Sequence, residues 1–93
     1  MSIYKDDYEL YKPFPSKSKN KKYSVYVMKN GKVKLLHFGD RRYQQYNDTL
    51  GYFSKLDHND KIRRNRYYAR MGETKDITTA KYWANNFLWS KKD

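Results

Sequence analysis

The stretch YSVYVMKNGKVKLLHFGD, residues 23–40, constrains this chain more than any other. Two runs rich in β-branched and aromatic residues flank Asn30-Gly31. Both residues of an Asn-Gly pair accept positive φ, so a two-residue type I′ turn and a β-hairpin are expected. The turn then dictates the register. Met28 falls opposite Val33, Tyr26 opposite Leu35 and Ser24 opposite His37 on one face. Val27–Lys34, Val25–Leu36 and Tyr23–Phe38 fall on the other. Neither face is cleanly polar, so both need cover, by helices on one side and the N-terminal segment on the other. An isolated hairpin is marginal in water, which makes that support necessary.

The cover has to come from aromatic residues. A mean hydropathy of −1.24 would alone suggest disorder. However, 11 Tyr, 4 Phe and 2 Trp can bury large areas. Ninety-three residues make one domain with a small core. The absence of Cys excludes disulfides and thiolate metal ligands, and fits a reducing compartment. No apolar run approaches the roughly 20 residues that span a bilayer. The N-terminal MSIYKDDYEL lacks a basic stretch followed by an apolar one, so no secretory signal is expected. The chain reads as soluble and intracellular, with no membrane partner.

Around the hairpin, the pattern predicts an arm and two helices. Tyr4, Tyr8 and Tyr11 stand at helical spacing, either on a short helix or on an arm that packs its tyrosines. Pro13 and Pro15 end that segment. KPFPSKSKNKK, residues 12–22, has linker composition. The expected organisation is therefore an N-terminal arm and basic linker over 1–22 and a compact domain over 23–90. Asp40 is expected to cap a short helix over 41–46. A loop follows, anchored by Leu50, Tyr52 and Phe53. Asp57 is expected to cap the next helix, with Asp60 in a capping-box position and Gly72 as its stop. Asp76 is expected to cap the last helix, Ile77 to about Trp89. That helix carries the stripe Ile77, Ala80, Ala84, Phe87 and Leu88, with Trp83 beside it. The tail SKKD should fray. The fold class is α+β: a small single domain whose antiparallel hairpin, with room for a third strand, packs on two C-terminal helices.

Net charge is +11, from 21 Lys and Arg against 10 Asp and Glu. Residues 1–11 hold Lys5 against Asp6, Asp7 and Glu9, a net of −2, so the rest carries +13. Such a field concentrates polyanions and speeds encounter with them. Nucleic acid is the first candidate partner, ahead of anionic membranes and acidic proteins. The alternative is that charge only keeps a Tyr-rich chain soluble.

DKIRRNRYYARMG carries the strongest candidate site. On a helical wheel Arg63, Arg66 and Arg70 form one stripe with Tyr67 at its edge. Ile62 and Ala69 lie adjacent, while Lys61 and Arg64 lie on another face. Guanidiniums along one face can fork onto phosphate oxygens, and Tyr67 can stack or donate. The alternative has these arginines covering apolar surface and pairing with Asp57, Asp60 or Asp40. Arg41 and Arg42, with Tyr43, either join the same surface or form the exposed side of a short helix. Lys29, Lys32 and Lys34 stand at the hairpin tip, where they can assist. No recognised DNA-reading signature is present. His37 and His58 with Asp40, Asp57 and Asp60 could hold a divalent metal for phosphodiester cleavage. Their spacing matches no metal motif, and helix capping explains Asp40 and Asp57 better. No Gly-rich phosphate loop, G-x-S-x-G or Cys nucleophile occurs, so no catalytic residue and no cofactor is expected. YWANNFLW could be a stacking platform, but its helical spacing says core, with Trp89 the exception.

HFGDRRYQQY, LDHNDKIRRNRYYARMG and KDITTAKYWANNFLW together resemble a family of short, basic, uncharacterised proteins encoded by giant (nucleocytoplasmic large) DNA viruses. The matching pattern is Phe38, Gly39, Asp40 and Tyr43; then Asp57, His58, Asp60, Arg63, Arg64 and Tyr67; then Arg70 and Gly72; then Asp76, Thr79, Ala80, Trp83, Leu88 and Trp89. It covers roughly residues 23–89. One position departs: the family's Arg-His-Gly is Arg70-Met71-Gly72 here, so any chemistry of that His is absent. The resemblance implies a viral origin and no particular activity. It suggests a protein of the viral factory or virion interior in the host cytoplasm.

The function expected is therefore non-enzymatic, largely sequence-independent binding of DNA or RNA through the phosphate backbone, with the lysines of the 17–34 region and Arg41, Arg42, Arg63, Arg66 and Arg70 neutralising phosphates. The alternative is a structural or adaptor protein that binds an acidic viral or host protein through Arg and Tyr. A metal-dependent nuclease comes third. An exposed hairpin edge leaves a homodimer open.

Overall fold

A computed structural model describes residues 3–5 and 8–91. It is an α+β unit, with a mixed five-stranded sheet followed by two helices. The strands are β1 (Ile3–Lys5), β2 (Tyr8–Leu10), β3 (Phe14–Pro15), β4 (Lys21–Lys29) and β5 (Lys32–Asp40). The helices are α1 (Lys61–Met71) and α2 (Ala80–Phe87). Of the residues read from sequence as arm or frayed tail, Met1, Ser2, Asp6, Asp7, Lys92 and Asp93 lie outside the described residues.

Asn30 and Gly31 take φ of 53° and 78°, the left-handed pair that a type I′ turn requires. Each hairpin pair expected from that turn occurs, from Tyr23 opposite Phe38 to Met28 opposite Val33. The pairing runs on to Lys21 opposite Asp40.

The N-terminal segment enters the sheet instead of forming a helix. β2 joins β4 in parallel, with Leu10 opposite Tyr26. Tyr11, at φ 60°, turns the chain while its N–H bonds the Tyr26 carbonyl at 2.8 Å. β3 then returns antiparallel, with Phe14 opposite Ser24. The physical reason is local. A helix cut short by Pro13 cannot recover its nucleation cost, whereas the open edge of β4 offers ladder partners. Residues 12–22 are accordingly no detached linker: Phe14 and Pro15 pair, and Ser16 and Lys22 are buried. The segment lies mostly beside β4. Only its rings reach over the outer face, with Tyr8 and Phe14 at 4.7 and 5.5 Å from Tyr26. Leu35 is left 41% exposed there.

The core lies on the opposite face. Tyr23, Val25 and Val27 of β4 and Leu36 and Phe38 of β5 meet Trp83 and Leu88. α2 packs along β5, and Trp83 donates to the Ile77 carbonyl at 2.8 Å. α2 starts later than expected, because its cap is Thr79, which accepts from Tyr82 N. Asp76 instead accepts from Thr78 N and Oγ1, which holds a turn and pulls its carboxyl below the usual range.

α1 is capped by Asp60, which accepts from Ile62 N and Arg63 N. Asp57, the expected cap, is consumed elsewhere: its Oδ1 accepts from Gln45 Nε2 at 2.6 Å and from Asp48 N at 2.8 Å. Gly72, at φ 74°, ends the helix and bonds the Tyr68 carbonyl.

Candidate nucleic-acid interface

The site begins where β5 ends. Gly39 has φ 77°, and a Cβ there would stand 2.7 Å from Leu88 Cδ1. Only glycine fits both the backbone and the helix end passing over it. Residues 41–46 then form turns instead of the expected helix. Asp40 directs its carboxylate at Arg42, accepting from the backbone N–H at 2.9 Å and from Nε and Nη2 at 3.0 and 2.8 Å. This fork holds the Asp40 carboxyl well below the usual carboxylate range. Beyond it, Gln45 and Tyr46 run alongside 56–59, with Gln45 N bonded to Leu56 O and Asn59 N to Tyr46 O. Those bonds compete with helix formation and win because Gln45 is buried.

Gln45 is fixed from below by Lys22. This lysine is 1% exposed, and its Nζ donates to the Tyr43 carbonyl at 2.8 Å and to Gln45 Oε1. Burial lowers its pKa, and the neighbouring Asp48, Asp40 and Asp57 oppose that shift. Deeper still, Tyr23 donates to Asp48 Oδ2 at 2.6 Å, and Asp48 accepts from Leu50 N and Phe53 N. Burial and this bond push the Tyr23 phenol up. The polar chain Lys22–Gln45–Asp57–Asp48–Tyr23 thus ties the 41–57 segment to the hairpin.

α1 docks against the far end of α2. Its buried residues are Arg64 and Tyr67. Arg64 lies 4.4 Å from the Tyr46 ring centroid and donates to Ser90 O at 2.9 Å. Tyr67 stacks on Trp89, with centroids 4.3 Å apart and planes within 4°, and donates to Asn85 at 2.7 Å. Burial raises the Tyr67 phenol to about 12. Ile62, which the helical wheel sets beside the arginine stripe, is 65% exposed.

The β5 end, the 40–44 turn, α1 and the end of α2 enclose an open groove of about 780 Å³. Ala84, Leu88, Tyr67 and Trp89 line it with apolar surface. Lys21, the buried Lys22, Arg42, Arg63 and Arg70 are its basic residues, and Asp40 is its single acid among the described residues. Arg63 donates to Gln44 at 2.9 Å, whereas Arg70 has no hydrogen-bond or ion-pair partner among the described residues. Tyr43 stands at the mouth, 65% exposed, with the Arg42 guanidinium 5.7 Å from its ring.

Of the residues singled out from sequence, Arg42, Arg63, Tyr67 and Arg70 therefore converge on one groove. Tyr67 is a buried wall, so its hydroxyl is not offered to a ligand. Arg66 is exposed on α1 but does not line the groove. Arg41 is a staple, donating to the Lys21 carbonyl at 2.7 Å and the Ser16 carbonyl at 3.0 Å. Lys29, Lys32 and Lys34 belong to a separate depression at the hairpin tip. Lys21 and Lys22 fall among the 17–34 lysines expected to neutralise phosphates, and both line the groove, although Lys22 is buried. Gln44 joins it without having been singled out, and Trp89 was marked only as the aromatic least suited to the core. His37 bonds Ser24 Oγ at 2.6 Å, while His58 Nδ1 accepts from Asp60 N and its ring packs on Trp89. Burial and the nearby Arg63 lower the His58 pKa. No group of three His, Asp or Glu converges on a metal site among the described residues. No helix among them is long and apolar enough to cross a membrane. Comparisons with protein-family models, with curated proteins and with solved structures returned no match.

Proposed function

We propose that this chain is a non-enzymatic nucleic-acid-binding protein that takes the phosphate backbone into the groove between the 40–44 turn and α1. The observation that carries this reading is the groove's make-up: a cationic rim of Lys21, Arg63 and Arg70 over an aromatic and apolar floor. Its only acid among the described residues, Asp40, is already neutralised by Arg42. Arginine forks suit phosphate oxygens, and exposed rings such as Tyr43 suit base stacking. Contacts to phosphate oxygens fix position but carry no base identity, so the binding proposed is largely independent of sequence. The resemblance to giant-virus proteins makes a viral factory or virion the proposed setting.

The test is a binding titration against duplex DNA, single-stranded DNA and RNA at two salt concentrations. Affinity should fall steeply with salt. On duplex DNA, Arg63→Ala with Arg70→Ala should lower the log–log slope by about 0.9 for each phosphate left without its cation. Weak retention that salt does not alter would remove this reading. Tyr52 and Tyr43, at 70% and 65% exposure, favour the adaptor reading as the second. Capture of an acidic protein that survives nuclease treatment would support that reading instead.

A further inference from the structure

We propose that the chain has a second, independent phosphate-binding surface at the hairpin tip, and so bridges two nucleic-acid segments instead of coating one. This rests on the reading of the groove as a phosphate site. The hairpin separates the two cationic sets. Lys21 pairs with Asp40 at the groove end, and Lys29 pairs with Lys32 at the tip. Eight residues of extended strand separate Lys21 from Lys29, about 26 Å at a strand's rise of roughly 3.3 Å per residue. Charges act over a Debye length of about 8 Å at physiological ionic strength. The two ends are therefore electrostatically separate, and a ligand held at one end leaves the other unneutralised.

The waist between them is not a cationic track. On the outer face the hairpin shows Ser24, Tyr26, Met28, Val33, Leu35 and His37, which carry no formal charge with His neutral. The other face is covered by the core and α2. At the tip, Lys29, Lys32 and Lys34 are all exposed around a shallow depression of about 550 Å³. The α1–α2 connection arrives close by, since Asp76 feels the charge of Lys29. Its carboxylate is engaged by Thr78 N and Oγ1 and is already hydrogen-bonded. Lysines without fixed geometry or an aromatic anchor suit a phosphate backbone, whereas a protein partner would use buried aromatic or Arg anchors. The occupant is thus a second nucleic-acid segment.

The experiment loads the full chain onto an immobilised duplex, washes it, and measures capture of a second, labelled duplex. Wild type should capture. Lys29→Glu with Lys32→Glu and Lys34→Glu should still load the immobilised duplex but lose about tenfold or more in capture. These side chains are exposed, and circular dichroism checks that the variant folds. Lys12→Glu, a change away from both surfaces, should leave capture intact. A wild type that loads but does not capture overturns bridging and leaves the groove standing. So does a tip variant that captures like wild type, the result expected if a dimer bridges through two grooves. A wild type that loads no duplex overturns both readings.

Discussion

The two helices are held in the fold by different physics. α2 buries Trp83 and Leu88 in a core of Tyr23, Val25, Val27, Leu36 and Phe38. α1 buries Arg64 and Tyr67, and is held by hydrogen bonds to Asn85, Ser90 and Trp89 and by one stacked ring pair. Apolar burial is non-directional and sets stability, at about 1.5–3 kcal/mol for a large side chain. Hydrogen bonds contribute about 0.5–1.5 kcal/mol each but fix orientation. The difference separates two duties. α2 holds the sheet together, while α1 is aimed, with Arg63 and Arg70 left toward the groove.

That contrast can be broken most forcefully at Leu88. Leu88→Ala should cost about 2–5 kcal/mol in urea unfolding, because the site is 1% exposed and packed from several sides. A loss under about 1 kcal/mol would mean that α2 is not the core helix. Gly39→Ala comes next. It forces a side chain into positive φ and against Leu88, for a loss of about 1–3 kcal/mol. Failure to lower the unfolding midpoint would show that the turn repacks freely. Tyr67→Phe should cost about 1 kcal/mol, since it removes only the bond to Asn85. Hydrogen exchange should then rise in α1 amides and stay unchanged in the hairpin. Equal increases in both would make the helices one cooperative unit.

A smaller effect follows from pH. The folded His58 pKa lies below its ordinary value of 6.5, so the unfolded chain takes up the proton first. The stabilising contribution is complete above that value and declines as pH falls from there toward the folded pKa. His58→Gln should flatten this part of a stability-versus-pH curve, whereas an unchanged slope would place the titration elsewhere. The smallest change is expected for Ile62→Ala, within about 0.5 kcal/mol, because the side chain faces solvent. A larger loss would put an apolar face on α1 and erase the contrast.

Legibility followed the range of the interaction. The hairpin register was readable from Asn30-Gly31, because turn and strands form one local unit. The existence of both helices, and Gly72 as a stop, were readable from spacing and composition. The caps were not. Asp57 and Asp60 are alike as sequence, and what separates them is Gln45, twelve residues earlier than Asp57, which takes the Asp57 carboxylate. The short helix over 41–46 looked sound locally but lost to Lys22 and residues 56–59, which bind that segment from elsewhere in the chain. For the candidate site, Arg63 and Arg70 share a face that the helical wheel displays. The wheel also set Tyr67 at the edge of that arginine stripe, whereas it is buried against Trp89, a residue distant in sequence.

By itself, the sequence determined the hairpin, its pairing, the excess of positive charge and the supply of aromatic residues for a core. These depend on neighbouring residues or on totals. Tertiary structure alone decided which cations share a surface. It buried Lys22 and Arg64, tied Arg41 to backbone carbonyls and Arg42 to Asp40, and gathered Lys21, Arg63 and Arg70 at one groove. It also left Lys29, Lys32 and Lys34 at the far end of the hairpin. Lysines and arginines have long, flexible stems and no periodic signature of burial, so their partners emerge only when distant segments pack together.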